Sequence, residues 1–131
     1  MKVPFRELPG RREDVPRPML DVWVQGIEHT PLTSLADTGT VHNRFATWIA
    51  RHAGIDLSDV PPESIGVGGR PVIARTVTVG LALGDYAWEA PISFCEPWPW
   101  DFQILGQEGF FRYFRVVVEA ANRTMDIRPQ K

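Results

Sequence analysis

The run Val72-Ile73-Ala74-Arg75-Thr76-Val77-Thr78-Val79 continues without a breaker through Gly80 to Leu83. Gly84-Asp85 supplies a turn, and Tyr86 to Phe94 reads as a second strand. β-Branched and aromatic side chains fit a pleated, half-buried surface, so a chain built around this pair is committed to sheet. The rest is punctuated in the same manner. Twelve prolines and eleven glycines among 131 residues divide it into short segments, which suits strands and turns better than long helices.

Other strands follow from the pattern. Leu20-Asp21-Val22-Trp23-Val24-Gln25 alternates apolar and polar residues. Residues 26–31 form a hairpin loop, and Leu32 to Ala36 return as a strand into Asp37-Thr38-Gly39-Thr40. Phe45, Trp48, Ile49 and Ala53 lie near helical spacing, which predicts a helix over 43–54 with Gly54 as its stop. Phe102 to Leu105 is a short apolar strand, Glu108 to Phe114 a second short helix, and 115–119 with 124–128 a final hairpin. The first 17 residues, rich in Pro, Arg and Glu, read as an N-terminal arm with one short strand near Val3 to Glu7, and 18–131 as one domain. The expected class is all-β with one or two short helices.

Composition excludes several functions. A net charge of −2 provides no basic field, so nucleic acid is not an expected partner. No apolar run approaches the ~18 residues of a membrane-spanning helix, and residues 1–7 lack an apolar signal stretch. One cysteine, Cys95, permits neither an internal disulfide nor a cysteine-based zinc cage, and reads as a buried structural thiol. His29, His42 and His52 are dispersed, so no metal and no cofactor is expected; His42, just past Asp37-Thr38-Gly39, is the one placed to line a groove. These features fit a cytoplasmic setting without a membrane partner.

The chemistry concentrates at Leu35-Ala36-Asp37-Thr38-Gly39-Thr40, an aspartate that ends an apolar strand. Further on, Ile65-Gly66-Val67-Gly68-Gly69 forms a glycine-rich hairpin, and Ile104-Leu105-Gly106 an apolar-apolar-glycine segment ahead of a short helix. The hairpin has neither the third glycine of a dinucleotide loop nor the Gly-Lys of a phosphate loop. In this order and spacing the three motifs resemble the retropepsin-like aspartic proteases, in their bacterial or cellular rather than retroviral form. The resemblance spans residues 20–128.

The resemblance implies an acid-protease barrel and an aspartic endopeptidase that hydrolyses peptide bonds. Asp37, Thr38 and Gly39 would be catalytic, with Thr40, Ile104, Leu105 and Gly106 in support. Ile65, Gly66, Val67, Gly68 and Gly69 would form a flap over an extended peptide. A hydrolase without a metal or nucleophile must activate water, which two close carboxylates achieve by sharing one proton. Asp-Thr-Gly occurs once in this chain, so an active enzyme must be a homodimer that contributes Asp37 twice. By the same resemblance Thr38 would reach across the two-fold axis. The Thr40 hydroxyl can donate to the outer oxygen of Asp37, and Gly39 lets backbone approach the carboxylates.

The retroviral pattern carries an acid and an arginine where this chain has Val41 and Gln107, so that ion pair is absent as a unit. Trp98 and Trp100, set between prolines, read as a cover over a core edge or as part of a peptide groove. Asn122-Arg123-Thr124 matches a glycosylation sequon but is inert without secretion. Two other readings compete: a silent module of the same fold for dimerisation or peptide binding, and a barrel that binds a small molecule and holds its Asp-Thr-Gly by chance.

Overall fold

The computed structural model describes residues 1–10 and 15–130. Residues 11–14 of the N-terminal stretch, and residue 131, lie outside the described residues. A smaller sheet holds β1 (Lys2–Pro4), β9 (Phe114–Glu119) and β10 (Thr124–Pro129) in the order β1-β10-β9. The larger sheet contains β2 (Met19–Val24), β3 (Leu32–Ala36), β4 (Asn43–Ala46), β5 (Glu63–Val67), β6 (Arg70–Leu83), β7 (Tyr86–Glu96) and β8 (Gln103–Leu105). Its order is β2-β3-β8-β4-β7-β6-β5, and β2 pairs back onto β6. Six strands therefore close into a barrel, and β5 stays outside it. The fold is all-β.

The β6–β7 hairpin is the scaffold. Its register runs unbroken from Leu83↔Tyr86 to Ile73↔Glu96. Inward residues change phase along β6, however. Val79, Leu81 and Leu83 are buried in the second half, whereas Val72 and Ala74 are buried in the first. The second half pairs with β2 and faces the main core; the first half pairs with β5 and faces a separate apolar cluster of Val67, Val72, Ala74, Cys95 and Ile104. One strand thus serves the barrel and then leaves it as a projecting arm.

The main core gathers rings from distant elements. Trp88 meets Phe114 edge to face at 4.8 Å, and Phe110 stacks on Phe114 at 4.9 Å. The Trp88 indole N–H donates to the Gly109 carbonyl at 2.9 Å, which satisfies the polar handle of a buried tryptophan.

Two expected helices are corrected. Residues 43–46 are not helical but form β4, because Asn43 and Phe45 alternate inward and pair with Ile92 and Phe94 of β7. The helix α1 is only Thr47–His52, closed by Gly54 at φ +74°. The second helix is one wide turn over Gln107–Phe111, and Phe114 already belongs to β9. Here ring packing around Phe110 and Phe114 overrides the helical spacing.

Candidate active site

Three strands position Asp37. It follows β3 directly, and β8 lies between β3 and β4, parallel to the first and antiparallel to the second. The backbone N–H of Asp37 donates to the Leu105 carbonyl at 2.9 Å, which fixes where β3 ends. From there the loop turns back on its own aspartate. The Gly39 N–H donates to Asp37 Oδ1 at 2.9 Å, and the Thr40 hydroxyl donates to Asp37 Oδ2 at 3.0 Å. Both carboxylate oxygens therefore have a neutral donor, and the side chain stays half-exposed.

The segment after β8 holds the loop from below. Gly106 lies so close that a Cβ there would meet the carbonyl oxygens of Thr40 and His42 at 2.6 Å, so only glycine fits. The N–H groups of Gln107 and Glu108 donate to the carbonyls of Thr40 and Val41, each at 2.8 Å. The Gln107 side chain reaches the Thr38 carbonyl, Nε2 to O 2.6 Å. Asn43, fully buried, accepts from the Gly106 N–H at 2.9 Å and donates to the Gly109 carbonyl at 3.1 Å. Sequence reasoning missed Asn43 by assigning it to a helix, and treated Gln107 only as a missing arginine.

The glycine-rich hairpin forms the roof. β5 and β6 join through Gly68 and Gly69 at φ +57° and +77°, the two-residue turn whose twist suits a hairpin. Gly68 rests on Trp100; a Cβ would come within 2.9 Å of the indole Cζ2. Beneath lies a cavity of about 440 Å³ lined by Leu35, Asp37, Thr40, Arg44, Val67 and Ile104, and also by Gly39, Gly66, Gly68, Trp100 and Phe102. The structure therefore brings together Asp37, Gly39, Thr40, Gly66, Val67, Gly68 and Ile104. Ile65, Gly69, Thr38, Leu105 and Gly106 lie outside this lining. Thr38 is exposed, and Leu105 and Gly106 are buried behind the loop.

His42 does not line the cavity; its Nδ1 is buried without a hydrogen-bond partner. Arg44 does line it, a residue the sequence reading did not single out. Cys95 lies beneath the same region, and burial pushes its thiol up to about 11 against the opposing pull of the Arg44 charge. Among the described residues no cluster of His, Cys, Asp and Glu could hold a metal ion, and no helix is long and apolar enough to cross a membrane.

Comparison with solved structures identifies this architecture. A retropepsin-like aspartic protease from Rickettsia conorii matches with a TM-score of 0.62 at 14% identity, over 95% of this chain and 88% of that one. The retroviral protease-like domain of Ddi1 from Leishmania major matches with a TM-score of 0.61 at 12% identity, over 88% of this chain and 97% of that domain. The chain has the retropepsin-like fold. Its sequence matches no protein-family model and no curated protein.

Proposed function

We propose that the protein is a homodimeric aspartic endopeptidase, with 18–131 as the catalytic domain. The observation that carries this reading is Asp37 itself. Its two oxygens are oriented by donors from its own loop, and it faces a cavity roofed by a glycine hairpin. A chain with one such carboxylate needs a second copy to supply the other. Across a two-fold axis, two Asp37 side chains would share one proton, since like charges so close cannot both ionise cheaply.

The ionised carboxylate takes a proton from a water as the water oxygen attacks the peptide carbonyl carbon. The other carboxyl donates its proton to the carbonyl oxygen, giving a tetrahedral diol. Collapse of the diol breaks the C–N bond, and a carboxyl proton goes to the leaving amine. The substrate is an extended peptide that adds as a strand between the β5–β6 hairpin and the floor. The lone buried Cys95 accords with a reducing, cytoplasmic setting.

The test is cleavage of a peptide library by the purified protein, with pepstatin as inhibitor and Asp37→Asn as control. Cleavage should be pepstatin-sensitive, absent in Asp37→Asn, and lost per mole of protein on dilution below the dimer dissociation constant. Unchanged specific activity in a monomer, or turnover by Asp37→Asn, would refute the mechanism. A folded dimer that binds peptides but cleaves none would instead be the silent module.

A further inference from the structure

Arg44 is a charged side chain whose position the catalytic chemistry does not explain. It sits in β4, in register with Ile104 of β8, and Ile104 is in register with Leu35 of β3. Residues in one row across a sheet share a face. Leu35, Ile104 and Arg44 all line the cavity, with Asp37 two residues beyond Leu35 on the same side of the strand. The cavity floor therefore reads apolar, apolar, cationic.

The remaining described lining is apolar, glycine or hydroxyl, so among the described residues Asp37 and Arg44 are the two charged groups facing this space. They are not paired with each other, and no carboxylate among the described residues makes an ion pair with Arg44. Its Nη1 is buried and has no hydrogen-bond acceptor, and the nearby Cys95 thiol, which burial pushes up to about 11, supplies no negative charge at neutral pH. A guanidinium has five donors in a planar fork matched to a carboxylate. Leaving one partly desolvated and unpaired is costly unless an anion completes it.

We infer that Arg44 is a specificity-determining residue that receives an acidic side chain of the substrate. This rests on the endopeptidase reading and narrows it to peptides with Glu or Asp near the scissile bond. In a homodimer each subunit contributes one Arg44, so the preference would appear on both sides of the cleaved bond.

The experiment compares kcat/KM for decapeptides that differ only by Glu or Gln at each position flanking the cleavage site. Wild type should favour Glu at one position on each side by roughly tenfold, as expected for one hydrogen bond to a charged group. Arg44→Met should bring the Glu/Gln ratio close to one, and Arg44→Lys should keep part of it. No preference for Glu in wild type, or the same ratio in Arg44→Met, overturns the inference.

The same peptides titrated calorimetrically into Asp37→Asn separate this inference from the catalytic reading. If wild type cleaves nothing, a Glu preference in binding that disappears in Asp37→Asn with Arg44→Met still supports the role of Arg44. Equal binding of the Glu and Gln peptides, or no binding of either, overturns it. Circular dichroism of Arg44→Met and Arg44→Lys checks folding, and the Lys variant carries the test if the Met variant does not fold.

Discussion

Replacing Asn43 by alanine removes two hydrogen bonds from a fully buried position. The two losses are unequal. The Gly109 carbonyl keeps the Trp88 indole as a donor, so it remains satisfied. The Gly106 N–H keeps no other partner, and an orphaned buried donor costs about 1–3 kcal/mol. With the lost bond to Gly109 and the void left by the truncated amide, the expected destabilisation is about 2–4 kcal/mol.

For a urea slope of about 1.5 kcal/mol per molar, the unfolding midpoint should fall by about 1–3 M. Tryptophan fluorescence at one fixed protein concentration is the assay, because self-association couples stability to concentration. Asn43→Asp provides the control. It retains an acceptor for Gly106 but turns a carboxylate oxygen toward the Gly109 carbonyl. A buried carboxyl in that position holds its proton more tightly than in the unfolded chain. Asn43→Asp should therefore lose stability as pH rises through the carboxylate range, whereas Asn43→Ala should not. A midpoint for Asn43→Ala within about 0.3 M of wild type would refute the claim that this side chain ties β4 to the segment behind the Asp37 loop.

Gly106→Ala should fail to reach a native melting transition, because its Cβ would meet two backbone oxygens at 2.6 Å that cannot rotate away; a cooperative melt near the wild-type temperature would contradict this. Gly68→Val combines φ +57° with a clash against Trp100 but lies at an exposed hairpin tip. It should raise KM or lower kcat while the melting temperature changes far less than in Gly106→Ala, and unaltered kinetics would remove the hairpin from substrate binding. The Cys95 thiol, pushed up to about 11 by burial, should resist alkylation at pH 8 in the folded protein. The same shift predicts that stability falls between about pH 9 and 11, where the unfolded thiol has lost a proton that the folded one keeps; Cys95→Ala should flatten that fall, and an equal slope in both proteins would refute the assignment.

The legible parts of this fold are those in which local pattern and tertiary demand agree. Val72 to Leu83 and Tyr86 to Phe94 read as strands because their side chains favour sheet and their turn is marked by Gly84, at φ +57°. Asp37-Thr38-Gly39, the Gly68-Gly69 turn and Gly106 were legible because each carries chemistry or geometry in its residue type. Asn43 and Arg44 were hidden by the helical spacing of Phe45, Trp48, Ile49 and Ala53, which carries over into a strand that precedes the helix. The phase change along β6 was hidden as well. A reader sees one β-prone run, and only pairing with β2 on one half and β5 on the other explains why opposite faces are buried.

Gln107 shows a different limit. Its neutrality, set beside Val41, reads as a missing ion pair, and the absence is visible without the replacement. In the folded chain the Gln107 amide donates to the Thr38 carbonyl, and the backbone N–H groups of Gln107 and Glu108 donate to Thr40 and Val41. The Asp37 loop is thus secured by neutral donors from its own chain, as Asp37 is by Gly39 and Thr40. Neutral hydrogen bonds orient a carboxylate without adding a full opposite charge beside it. Among the described residues this arrangement leaves Asp37 without a cationic partner, in a cavity where Arg44 makes no ion pair with it. In the proposed mechanism, the carboxylate that would take up a proton and the guanidinium that would bind substrate therefore occupy separate places on one floor.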